Sequence, residues 1–188
     1  MRNAITALLA LSLVGLAAVY LYRSTARENV TGEREYRLGN RYLADGHYDE
    51  ALVEFGTSLS RNPGYAPSCL GAAIARMHLG QISQAFASFE RAIDLKPEFG
   101  EAFANRGILN DREGNYEQAL ADYRRALQLK PDLGDGPGMI WRFLHSPHEK
   151  PSTLTERVAY IAQELQKPLA ERRLHQPEQD SEQQMYAK

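Results

Sequence analysis

With 188 residues, 43% of them hydrophobic, the chain has apolar material for one core but hardly for two independent ones. It carries 22 basic and 24 acidic residues for a formal net charge of −2, with every acidic residue beyond position 23. No basic face is left for a phosphate backbone, which excludes nucleic acid as a partner. The lone cysteine, Cys69, excludes an intrachain disulfide and a cysteine-based zinc site.

Ala4 to Tyr22 is a run of 19 residues without a charge. As a helix it spans about 28 Å, close to the hydrocarbon thickness of a bilayer. Tyr20 and Tyr22 followed by Arg23 have the chemistry of an interfacial aromatic anchor with a snorkelling cation. Residues 1–23 therefore read as an N-terminal transmembrane helix. The competing reading is a signal sequence cut after Gly15-Leu16-Ala17, but the apolar run overshoots that site with no polar region before it. Arg23, Arg27, Arg34, Arg37 and Arg41 outnumber Arg2 and the terminal amine, which puts the remainder of the chain on the cytoplasmic side of a bacterial inner membrane crossed once. An export signal would put it in the periplasm instead. Residues 24–31 read as a linker.

From residue 32 the chain repeats itself. A shift of 34 residues superposes Gly46, Gly80 and Gly114, then Ala51, Ala85 and Ala119, then Pro63, Pro97 and Pro131. Phe55, Phe89 and Tyr123 fall in one register, and the segment Arg91 to Pro97 recurs as Arg125 to Pro131 with changes only at Ile93/Leu127 and Asp94/Gln128. The blocks are 32–65, 66–99 and 100–133. Each holds two stretches of helical periodicity. In the third, Glu101 to Arg112 ends before Gly114-Asn115, a pair suited to a turn with positive φ, and Tyr116 to Lys130 comes next until Pro131 stops it. Small residues, Gly39, Ala73 and Gly107 in the first stretch and Ala51, Ala85 and Ala119 in the second, mark places where two helices approach closely.

This period and residue pattern resembles the tetratricopeptide repeat. The resemblance implies an all-α fold, a right-handed superhelix of three helix-turn-helix units that works by holding other proteins. It also implies a concave groove lined by the first helix of each unit. Here that strip consists of Tyr36, Asn40 and Leu43 from the first unit, Leu70, Ile74 and Met77 from the second, and Asn105, Ile108, Asp111 and Arg112 from the third. Chaperone-binding members grip a C-terminal carboxylate with Lys, Asn and Arg. The corresponding places here are Tyr36, Asn40, Gly71, Glu101 and Asn105, of which only Asn40 matches, so that clamp is absent.

After the third block Gly134-Asp135-Gly136-Pro137-Gly138 reads as a hinge. Thr153 with Glu156 forms a candidate capping box for a helix closed by Pro168, with Leu154, Val158, Ile161, Ala162 and Leu165 on one face. Stacked repeats leave the last unit's apolar surface open, so residues 134–174 are expected to supply C-terminal capping helices. Residues 175–188 are a polar tail. His145 and His148 lack a third ligand at a set spacing, no serine sits in a nucleophile elbow, and the carboxylates lie on solvated helix faces.

The expected function is therefore a membrane-anchored scaffold or adaptor, not an enzyme, which holds an apolar or amphipathic segment of another protein and needs no cofactor. A permanent structural subunit of a membrane complex would use the same surfaces. A metal-dependent hydrolase would rest on the two histidines alone.

Overall fold

The structure is a computed structural model and describes residue 12 and residues 14–19, 31–135 and 153–174. Residues 14–19 are helical, with Val14, Leu16 and Val19 exposed. No helix among the described residues is long and apolar enough to cross a membrane. Most of the apolar N-terminal run, nearly all of the 24–31 linker, the cluster around Trp141, both histidines of the His145–His148 segment and the 175–188 tail lie outside the described residues.

Six α-helices make three hairpins: α1 (Glu33–Ala44) with α2 (Tyr48–Arg61), α3 (Ala66–His78) with α4 (Ile82–Leu95), and α5 (Gly100–Arg112) with α6 (Tyr116–Leu129). They stack in chain order, α2 on α3 and α4 on α5. The described residues are entirely helical or irregular, without strands.

The turn inside every hairpin is the same. Gly46, Gly80 and Gly114 adopt φ of 77°, 72° and 78°, a region a side chain disfavours. The amide of the next residue then closes each first helix: His47 N–H donates to Tyr42 O, Gln81 to Arg76 O and Asn115 to Asn110 O, at 2.8, 2.9 and 2.8 Å. This is the Schellman arrangement, and it satisfies carbonyls that a helix end leaves orphaned. Each second helix stops before its proline because Asn62, Lys96 and Lys130 are held extended, with φ between −139° and −145°.

The core keeps the same register. Phe55, Phe89 and Tyr123 are fully buried, as are Ala51, Ala85 and Ala119 one turn earlier. Close approach is enforced at the small residues of the repeat. A Cβ at Gly39 would lie 2.7 Å from the Phe55 ring, and one at Gly107 2.6 Å from the Tyr123 ring. Gly71 of the second unit also presses on the Phe55 ring, so that ring is clasped by both the first and the second unit. Ser58 adds a polar tie, its hydroxyl 2.7 Å from Gly32 O and 2.6 Å from the Ser68 hydroxyl. Cys69 is buried in the second unit, and that burial pushes its thiol pKa up.

Beyond the third hairpin, Gly134 and Asp135 end a 3-10 turn, Pro131–Asp135, where the glycine pattern predicts a hinge beginning at Gly134. A seventh helix, α7 (Leu154–Leu165), starts at a complete capping box: the Thr153 hydroxyl accepts from Glu156 N at 3.1 Å, and Glu156 Oε2 accepts from Thr153 N at 2.9 Å. It packs on α6 with Leu154 and Ile161 buried and Val158, Ala162 and Leu165 half-buried.

Candidate peptide-binding groove

The ten groove positions separate into two groups. Tyr36, Asn40 and Leu43 of α1 and Arg112 of α5 keep accessible surface. Leu70, Ile74, Met77, Asn105, Ile108 and Asp111 are buried and offer a peptide no surface, which corrects the expectation for these six. Leu70, Ile74 and Met77 belong to the second unit's core cluster, together with Phe89 and Phe99. Asn105 turns inward and donates to Glu101 O at 2.8 Å.

At the third unit the groove positions are occupied by the chain itself. Arg157 of α7 reaches Asp111 in a two-pronged ion pair, Nε to Oδ2 and Nη2 to Oδ1, each at 2.7 Å. Both side chains are almost fully buried, 2% and 1% exposed. The Tyr123 hydroxyl donates to the same carboxylate at 3.1 Å. Past α7 the chain turns through Leu169–Glu171 and runs back along the helix: Arg173 N–H donates to Glu164 Oε2 at 2.7 Å, the Tyr160 hydroxyl donates to Arg173 O, and Arg157 donates to Leu174 O at 3.5 Å. Leu174 thereby joins the cluster of Ala104, Ile108 and Ile161.

Sequence reasoning finds α7 but misses this pairing. Arg157 flanks the apolar face of the helix, a visible sign of a cation drawn inward, yet nothing in the sequence joins it to an aspartate 46 residues away.

The open stretch of groove is aromatic. The Tyr36 ring lies 5.4 Å from Tyr65 edge-on and 6.1 Å from Phe55. Burial raises the pKa of the Tyr36 hydroxyl, against a hydrogen bond from Asn40 that lowers it. Asn40 keeps its amide Oδ1 buried with no hydrogen-bond partner among the described residues. An orphaned buried acceptor costs about 1–3 kcal/mol.

Tyr48 and His78 border this stretch, their rings stacked with centroids 4.4 Å apart and planes 3° from parallel. Burial first, and the positive charge of Arg112 second, hold the His78 pKa below its ordinary 6.5. The folded state thus prefers the neutral ring. Its stabilisation is complete above the unfolded value and is lost as pH falls through the lower folded value. The melting temperature should fall below about pH 6.5, and His78→Gln should flatten that fall. Equal slopes for the two proteins would contradict the assignment. Among the described residues no group of three His, Cys, Asp or Glu side chains could hold a metal.

A stack of like helical hairpins, each turned at a positive-φ glycine around a buried ring, defines an all-α helical-repeat protein. Residues 42–105 and 100–133 both match the tetratricopeptide repeat, and this stretch of the chain is built of tetratricopeptide repeats. Solved structures agree on the fold. The first such domain of Spaghetti (RPAP3), bound to the HSP90 peptide SRMEEVD, is 22% identical with a TM-score of 0.57, over 73% of this chain and 94% of that one. The first domain of human RPAP3 is 23% identical with a TM-score of 0.55, over 71% and 91%. The Arabidopsis OM64 domain is 24% identical with a TM-score of 0.52, over 54% and 84%. No curated protein matches this sequence.

Proposed function

We propose that this protein is a membrane-anchored adaptor, not an enzyme, which captures an apolar or amphipathic segment of another protein in the groove between α1 and the ends of α3 and α5. The observation that carries this reading is the accessible aromatic strip of α1, where the Tyr36 ring packs edge-on against Tyr65 and Asn40 and Leu43 keep accessible surface. An extended segment laid there supplies a backbone carbonyl for the Asn40 amide N–H and apolar side chains for the aromatic wall. The peptide-bound state of the Spaghetti domain supports a peptide as the partner's form, although the clamp residues for a chaperone C-terminus are missing here. Because Arg157 and Leu174 take the third unit's positions, the captured segment engages the first two units and Arg112.

Capture by the full chain from native membranes should weaken about tenfold for Asn40→Ala, as a peptide carbonyl loses its donor. Undiminished capture by a folded Asn40→Ala protein would move the site elsewhere.

Residues 4–22 are the proposed anchor, crossing a bacterial inner membrane once with the repeats on the cytoplasmic side favoured by Arg23, Arg27 and Arg34. The intact mass of the purified protein should include these residues, and the protein should require detergent for release. A mature chain beginning near Ala18 and free in solution would replace the anchor with a cleaved leader.

A further inference from the structure

A cavity of 340 Å3 opens between α2, α3 and α4, lined by Leu59, Cys69, Ala72, Arg76, Ser88 and Arg91 among others. It lies along a different stripe of α3 from Leu70, Ile74 and Met77, and so is separate from the groove. Two guanidinium groups border it without a carboxylate among its lining residues. Arg76 donates through Nη1 to the Ser88 hydroxyl, while its Nε is buried with no partner among the described residues. Arg91 donates through Nη2 to Pro63 O at 3.0 Å.

The third unit shows what complements such a site. A shift of 34 residues aligns Ala72 with Arg106, Arg76 with Asn110 and Ser88 with Asp122. There Arg106 holds Asp122 by two bonds, Nε to Oδ2 at 2.9 Å and Nη2 to Oδ1 at 2.7 Å, and Asn110 donates to Oδ2 at 3.1 Å. In the second unit the arginine is kept at a neighbouring position, but the carboxylate has become a hydroxyl. Ser88 already donates to Gln84 O at 2.8 Å and carries no charge to offset a guanidinium. Ala72 also leaves open the space that Arg106 fills one repeat later.

We infer that this cavity binds a carboxylate supplied from outside the chain, gripped by Arg76 and Arg91 as Asp122 is gripped by Arg106. A guanidinium is shaped for two parallel bonds to a carboxylate, and the half-buried site strengthens them over what they are worth in water. The carboxylate comes either from a free small acid or from an Asp or Glu side chain of a docked protein, two sources with the same chemistry.

The full chain, isotopically labelled in detergent, can be titrated with succinate, with a blocked Ala-Asp-Ala peptide and with inorganic phosphate, monitoring the Ala72, Arg76 and Ser88 amide signals. Saturable shifts with a carboxylate are expected. Tighter binding of succinate identifies the free acid as the source, and tighter binding of the peptide identifies the side chain. Arg76→Gln should weaken either by about tenfold. Ser88→Asp, which supplies the missing charge from within, should abolish binding and raise the melting temperature by roughly 2–4 °C. Shifts with phosphate alone, shifts with none of the probes, or carboxylate binding unaltered by Arg76→Gln would each overturn the inference.

Discussion

Arg157→Ala is expected to destabilise the full chain by about 3–5 kcal/mol, the loss typical of breaking a buried ion pair from one side. The reason is what stays behind. Asp111 would be left at a site 1% exposed to solvent, with the two-pronged guanidinium gone and the Tyr123 hydroxyl a weak substitute for it. The same substitution removes the bond to Leu174 O, so the returning segment loses its tie to α7. Denaturant unfolding of the wild type and variant measures the difference. Replacing both partners by apolar residues, Arg157→Met with Asp111→Leu, should recover much of the loss, because no buried charge is then uncompensated. An Arg157→Ala protein as stable as the wild type would show that the C-terminal segment is a loose appendage.

Phe55→Ala should cost a similar amount, about 3–5 kcal/mol. Phe55 is fully buried and held between Gly39 of its own unit and Gly71 of the next, so its removal opens a void in two hairpins together. A double-variant cycle adds a sharper test. Gly71→Ala alone should be damaging, since its Cβ has no room against the ring, yet in the Phe55→Ala background the same methyl group enters the void. Additive losses would mean that Phe55 does not join the two units.

Much of the fold can be read from the sequence because a repeat protein is built from short-range rules applied three times. The glycine that must reverse the chain, the alanine and the ring behind it, and the proline that stops the second helix are all local requirements. The superposition of Gly46, Gly80 and Gly114 exposes them. The Thr153 and Glu156 capping box is legible for the same reason.

The groove is less legible. Position in a first helix does not tell whether a side chain faces an open groove or the first helix of the neighbouring unit. For Leu70, Ile74 and Met77 the neighbours win. A hint is present: α3 is apolar on nearly all sides from Cys69 to Ala75, the pattern of a helix buried all round and not of one lining a surface. Asp111 reads as a groove residue because its partner, 46 residues onward, cannot be inferred from spacing.

Capture of another protein on the α1 side of the groove is tested most directly by placing a photoreactive amino acid at Leu43 and, separately, at Val53. Leu43 sits on the proposed strip, and Val53 is an exposed residue of α2 away from it. Irradiation of native membranes should yield a discrete adduct with a second protein from Leu43, absent from Val53 and lost with Asn40→Ala. Adducts from Val53 alone, or from Leu43 but indifferent to Asn40, would contradict it.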